Sequence, residues 1–240
     1  MTAQKIQLSD ARWHFHHGPI DLIIQAEGPS SLIEHCHQKA WSRFQGLLAE
    51  LVNELAVLRS PVDPFIARGQ TSIHETQNPC IGPVARNMWQ SVSVYASPLP
   101  NGFITPMAAV AGAVAQEMLS YYEHEDIQRA WVNNGGDIAL YLNPGTFVDI
   151  GWVTHPERAV LQTLIKKSAD LLSNDLLSID GQFRLSYDSP SRGVATSGWR
   201  GRSFSLGIAD SVTVLARSAS EADAAASIIA NAVNIDHPGI

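Results

Sequence analysis

The sequence predicts an α+β fold with helices packed on a largely antiparallel sheet. Three observations predict it. Apolar residues recur three or four apart in some stretches and alternate or run together in others, which separates helices from strands. Strand-like and helix-like stretches also follow one another along all 240 residues. Turn signals at Asn133-Asn134-Gly135-Gly136 and Asp180-Gly181 lie between strand-like runs, and hairpins join antiparallel neighbours.

The elements follow in order. Residues 18–26, GPIDLIIQA, read as an early strand. Ser30 and Ser31 offer an N-cap. From Leu32, the spacing of Cys36, Ala40, Phe44, Leu47, Leu51, Leu55 and Leu58 predicts a long helix, ended by Pro61. Residues 61–83 read as a long surface loop. Val84–Met88 suit a helical turn and Ser91–Tyr95 a strand. Thr105-Pro106 opens a second helix, with Thr as N-cap and Pro at its first position. Its body, Ala108–Leu119, is dominated by Ala, Val and Gly112, and lets a backbone or a ligand come close.

Arg129–Val132 and Ile138–Leu142 read as a hairpin, and Phe147–Val153 as another strand. Thr154 with Glu157 makes a capping box for a helix through Leu172. Leu176–Leu185 reads as a hairpin turning at Asp180-Gly181. Ser189–Gly201 reads as a polar loop, and Phe204–Ala216 as one or two strands. Ser218 with Glu221 is a second capping box, starting a helix over Ala222–Val233.

Composition narrows the function. Hydrophobic residues make up 45% and charged residues 16%, an ordinary globular balance. The net charge is −7, with only 16 Lys and Arg, which disfavours a nucleic-acid surface. No apolar run approaches the roughly 20 residues that span a bilayer. The N-terminal stretch has neither an apolar signal core nor a lipidation cysteine, so the expected compartment is the cytoplasm. Two distant cysteines, Cys36 and Cys80, argue against a structural zinc site or a disulfide framework.

Three motifs carry chemistry. In Asn133-Asn134-Gly135-Gly136-Asp137, paired glycines can expose successive amides to an anion, and Asp137 adds a carboxylate. The same residues suit a plain hairpin turn. In Ala195-Thr196-Ser197-Gly198, two hydroxyls beside a glycine suit phosphate or ribose oxygens, with Arg200 and Arg202 nearby. A solvated turn is the competing reading. Asp223 and Ser227, four apart on a helix, project from one face as hard oxygen ligands suited to Mg²⁺. A carboxylate at Asp223 also suits the first turn of a helix on dipole grounds alone.

The order and spacing of these motifs resemble the ApbE superfamily, the FAD:protein FMN transferases and their relatives. The matching features are Asn133–Asp137, Ala195–Gly198, Val212-Thr213-Val214, and Ala222-Asp223 with Ser227. The small-residue helix Ala108–Ala115 stands where that family has an Ala-Lys-Gly helix. Asn78–Pro83 resembles the segment before it. The likeness covers roughly residues 18–234, and Asn234–Ile240 resembles the start of a further segment. It implies one ApbE-like domain over 1–240, a duplicated T-fold-like unit whose natural C-terminal end lies beyond this sequence.

The resemblance also implies a site for FAD or FMN with Mg²⁺. Asn134, Gly135, Gly136, Asp137, Thr196, Ser197 and Gly198 would meet the nucleotide, and Asp223 and Ser227 the metal. No catalytic residue follows from it. The implied partners are a small-molecule nucleotide or anion and a protein acceptor, with no nucleic acid and no membrane. Two departures are plain. Ala111 replaces the lysine of Ala-Lys-Gly, and the family's His-Ile-x-Asp-Pro-x-x-Gly segment gives way to Gly201–Asp210, as in a separate branch of bacteria and archaea. The alternative for such a branch is a non-enzymatic accessory protein that binds another small anion or a partner, a role linked to sulfur metabolism.

His14, His16 and His17 read as strand-face or surface histidines rather than a metal site, because no acidic or Cys partner is adjacent. His35 and His37, two apart on a helix, face different directions. Cys80 reads as an inert thiol. Trp199, beside the hydroxyl motif, is the tryptophan placed to meet a ligand.

Overall fold

A computed structural model describes residues 2–8, 11–64, 78–97, 103–153, 180–199 and 205–235. These fall into two compact units, residues 1–143 with 190–240, and residues 144–189. The predicted helix at Thr154–Leu172, the residues Leu176–Ile179, Arg200 and Arg202, and part of the loop at 61–83 lie outside the described residues.

The first unit carries a seven-stranded antiparallel sheet. Its strands are β1 (Gln4–Gln7), β2 (Trp13–His17), β3 (Ile20–Glu27), β4 (Arg129–Asn134), β5 (Asp137–Leu142), β8 (Gly193–Ser197) and β9 (Val212–Ala216), adjacent in that order. The α+β class and the antiparallel sheet are as the sequence predicts. The second unit holds a separate ladder of β6 (Phe147–Trp152) and β7 (Gly181–Ser186). Asp180-Gly181 is not a hairpin turn: Gly181 pairs directly with Trp152 at the end of that ladder.

Five α-helices lie among the described residues: α1 (Ser30–Asn53), α2 (Leu55–Leu58), α3 (Pro83–Ser93), α4 (Val110–Leu119) and α5 (Ala219–Ala232). The long predicted helix breaks at Glu54, before Pro61 is reached. Its N-cap is Pro29, so Ser30 and Ser31 are its first residues and not its caps. Ser91–Tyr95 is not a strand. It ends α3, whose Val84, Ala85, Met88, Trp89 and Val92 are buried at helical spacing. Thr105-Pro106 does open a helical segment, but its first turn, Pro106–Ala109, is a 3₁₀-helix and Thr105 makes no side-chain cap.

The core forms where α1 and α4 cover one face of the sheet and α3 packs against α4 and α5. Phe15, Leu22, Ile24, Ala130, Val132 and Ala139 from the strands meet Phe44, Leu47, Met88, Val114 and Met118 from the helices. Helix α5 lies over β8, with Ala195, Ala222 and Ala226 forming a small-residue seam. Small residues are required where α5 crosses α4 and β8. A Cβ on Gly112 would stand 2.2 Å from the Ala219 carbonyl oxygen, and one on Gly193 2.1 Å from that of Ser218. The segment read as a polar loop at Ser189–Gly201 therefore contains a buried strand, β8, in which Thr196 pairs with Thr213 and Ser197 with Val212.

Candidate functional site

Two buried carboxylates lie near each other where β5, β8, α4 and α5 converge. Asp137 is the first residue of β5, directly after the two-residue turn Gly135-Gly136. Both glycines take left-handed backbone, at φ 66° and 115°, the conformation that a tight two-residue hairpin requires. Gly136 N–H donates to Asn133 Oδ1 at 2.8 Å, so this amide serves the turn itself. Asp137 Oδ1 accepts from the backbone N–H of Thr196 at 3.2 Å, which ties β5 to β8 at this point.

Asp223 approaches from α5. Ser218 is the N-cap, and its hydroxyl accepts from Glu221 N–H, so the predicted cap is in place. The helix starts at Ala219, three residues earlier than predicted, and Asp223 falls in its second turn. Glu221 is the acidic residue of the first turn. The dipole explanation for Asp223 therefore loses its basis, because that effect fades within the first turn. The Asp223 carboxylate instead reaches across to α4, where Gly112 N–H donates to Oδ2 at 2.9 Å and Ala111 N–H also bonds to it. These amides lie in the first turn of α4, where backbone donors have no partner within their own helix.

Burial dominates the electrostatics. Asp137 is 8% exposed and Asp223 7%. Loss of hydration pushes the Asp137 carboxyl up to about 7, and the Thr196 N–H pulls it back in part. Asp223 is held well above the usual carboxylate range, first by burial and then by the charge of Asp137, with the Gly112 and Ala111 amides opposing. No cationic side chain among the described residues pairs with either group. Two adjacent acids in a dry site repel when both ionise, so a folded protein must neutralise them with protons or a cation.

The other expected residues group around this pair. Ser227, one turn beyond Asp223, donates to Ala108 O at 3.4 Å, so both side chains of the pair face the segment 108–112. Asn134 is buried, and its Nδ2 donates to Ala111 O at 3.1 Å. Thr196 is exposed and shares a 2.9 Å hydroxyl contact with Thr213. Ser197 is buried within β8. Gly198 permits close backbone approach, since a Cβ there would lie 2.2 Å from Asp210 O. Trp199 stays partly exposed and donates from Nε1 to Asp210 Oδ1 at 2.9 Å.

Sequence reasoning missed the backbone donors. Ala111 and Gly112 bring no side-chain chemistry, and the only sequence trace of their role is their small size opposite α5. Cys80 is buried, and burial with the nearby charge of Glu54 pushes its thiol up to about 11, so it stays protonated at neutral pH. His37, also buried, bonds the Tyr122 hydroxyl at 2.7 Å, and burial lowers it to about 4. Both belong to the core. His14 pairs with Asp21 at 2.7 Å on the sheet. Among the described residues no helix is long and apolar enough to cross a membrane, and no group of three or more His, Cys, Asp or Glu side chains converges to hold a metal.

Comparison with known proteins relates the sequence to a family. The family model described as AbpE bacteria matches residues 4–240. A UPF0280 protein of Methanothermobacter thermautotrophicus is 39% identical over 132 residues, 55% of this chain and 43% of the relative. A UPF0280 protein of Methanococcus maripaludis strain C7 is 36% identical over 134 residues, 55% of this chain and 46% of the relative. The chain spans about half the length of the curated relatives it matches. Among solved structures, the apo form of the Pseudomonas stutzeri flavinyl transferase ApbE is similar at a TM-score of 0.40 and 11% identity, covering 95% of this chain and 84% of that one.

Proposed function

We propose, for a chain that belongs to the AbpE bacteria family, that Asp137 and Asp223 hold Mg²⁺ and, with it, the phosphates of a flavin nucleotide, FAD or FMN. One observation carries the reading. Two buried carboxylates from separate elements lie close enough for the charge of Asp137 to raise Asp223, each held by backbone N–H groups and, among the described residues, neither paired with a cationic side chain. The nucleotide's identity comes from the resemblance of the motifs to the ApbE superfamily.

The donor set suits the ion. Mg²⁺ takes hard oxygen ligands, commonly one or two carboxylates, and keeps several waters of its own. The site offers two carboxylates and the Ser227 hydroxyl on the same helical face, with no His or Cys among them. When bound, the ion would neutralise charge on the phosphates and polarise them. The chain's own part is orientation. Thr196 N–H fixes the angle of Asp137, and the Ala111 and Gly112 amides fix that of Asp223. The Gly135-Gly136 turn and the exposed Thr196 hydroxyl border the pair and form the surface that a nucleotide would meet. On this reading the reaction class is transfer or hydrolysis at a nucleotide diphosphate, with a protein hydroxyl or water as acceptor.

A calorimetric titration of the metal-free protein with FAD, repeated in excess Mg²⁺, tests the reading. Tight binding that Mg²⁺ strengthens is expected, and Asp223→Ala should abolish the strengthening while leaving the fold intact. Absence of FAD binding in both conditions would overturn it. Metal-independent binding of a different anion would favour the accessory-protein alternative.

A further inference from the structure

We infer that Asn134 is a positioning residue for Asp223 and acts through the single peptide that joins Ala111 to Gly112. The inference rests on the reading of Asp223 as a metal ligand. Asn134 Nδ2 donates to the carbonyl oxygen of Ala111 at 3.1 Å. The N–H of that same peptide, on Gly112, donates to Asp223 Oδ2 at 2.9 Å. A peptide unit is planar, so a hydrogen bond that fixes its C=O also fixes the direction of its N–H. A donor on the carbonyl further polarises the unit and strengthens the N–H as a donor. Asn134, the peptide and Asp223 thus form a three-member chain in which only the last member reaches the site.

The position of Asn134 in the sheet gives this chain a second consequence. Asn134 closes β4 and pairs with Asp137 across the hairpin. One tight turn therefore carries a carboxylate of the site and the side chain that orients the other. Its remaining acceptor, Oδ1, lies 3.5 Å from Asp21 N–H on β3. The Asn134 amide is buried and turned to backbone groups on both sides, so it acts on the ligand Asp223 and not on a nucleotide.

The test uses the full chain with Asn134→Leu, which matches the volume and removes the donor. Asn134→Ala serves as a second variant should the first fail to fold. Three readouts are taken: urea unfolding, the Gly112 amide resonance and its hydrogen exchange by NMR, and affinity for Mg²⁺ alone by calorimetry. Loss of a group that orients a metal ligand typically weakens metal binding about 10- to 100-fold. The expected result is that loss in a folded variant, with the Gly112 amide shifted and exchanging faster. An unmoved Gly112 amide in a folded variant would overturn the inference, whether or not Mg²⁺ affinity changes. Should the unsubstituted protein bind no Mg²⁺, the ligand reading of Asp223 fails, and the Gly112 amide still decides whether Asn134 sets this peptide.

Discussion

Asp137→Asn should change how stability depends on pH, and the size of the change follows from burial. The Asp137 carboxyl stands at about 7 in the folded protein against 3.8 for an ordinary aspartate. Between those values the unfolded chain has released the proton and the folded chain retains it. Stability therefore falls as pH rises, by about 1.36 kcal/mol per pH unit. Across the whole interval the loss is about 4 kcal/mol, complete once pH passes the folded value. Asp223 is raised too and works in the same direction. Asparagine has nearly the same shape, can still accept the Thr196 N–H and carries no charge at any pH. In metal-free protein, urea unfolding at a series of pH values from 4 to 8 should give a declining stability for the unsubstituted chain and a markedly flatter curve for Asp137→Asn. Acid-side effects from His37, which burial lowers to about 4, are common to both proteins and cancel in the difference. Added Mg²⁺ should restore stability in the unsubstituted chain most strongly at the high end of the range, because an ion that binds only the folded state stabilises it. Parallel curves for the two proteins would refute the placement of Asp137 as a buried acid raised by loss of hydration.

Three further substitutions probe the framework of the site. Gly112→Ala puts a methyl 2.2 Å from Ala219 O, so α4 and α5 must part; a loss of about 1–3 kcal/mol in urea unfolding is expected, with weaker Mg²⁺ binding. Gly136→Ala meets nothing within 4 Å but must hold φ at 115°. Its expected loss of about 1–3 kcal/mol is therefore pure backbone strain, and unchanged stability would contradict the turn geometry. Ser218→Ala removes the N-cap acceptor of α5, and thermal or urea unfolding should report a loss of about 1 kcal/mol.

Much of the frame was legible where the signals were local. The hairpin at Asn133–Asp137 is written in its paired glycines, the long first helix in the spacing from Cys36 to Leu51, and the α5 cap in Ser218 and Glu221. The misreadings share a cause. Strand β1 is exposed along its whole length, so it has no apolar alternation to betray it and depends on its ladder to β2. Ser91–Tyr95 alternates as a strand would, but burial of Met88, Trp89 and Val92 on one face keeps it helical. Strand β8 opens on Gly193 and carries Ala195 because α5 lies so close over those positions that larger side chains have no room.

The site divides in the same way. Asp223 with Ser227 and the Gly-Gly-Asp turn are visible as spacing. That Asp137 and Asp223 meet is a product of the sheet order, which joins β5 to β8 and lays α5 across them. The amides that hold Asp223 belong to Ala111 and Gly112, residues whose side chains say nothing about hydrogen bonding. The role we infer for Asn134 is equally hidden, because it runs through a peptide 23 positions away in the sequence.

The most direct test of the paired-carboxylate site is an anomalous-scattering map from crystals of this protein soaked in Mn²⁺, a heavier stand-in for Mg²⁺. A peak bonded to carboxylate oxygens of both Asp137 and Asp223, absent after Asp223→Ala, is the expected result. A map with no density between the two carboxylates at saturating Mn²⁺, or with the ion bound elsewhere, would contradict it.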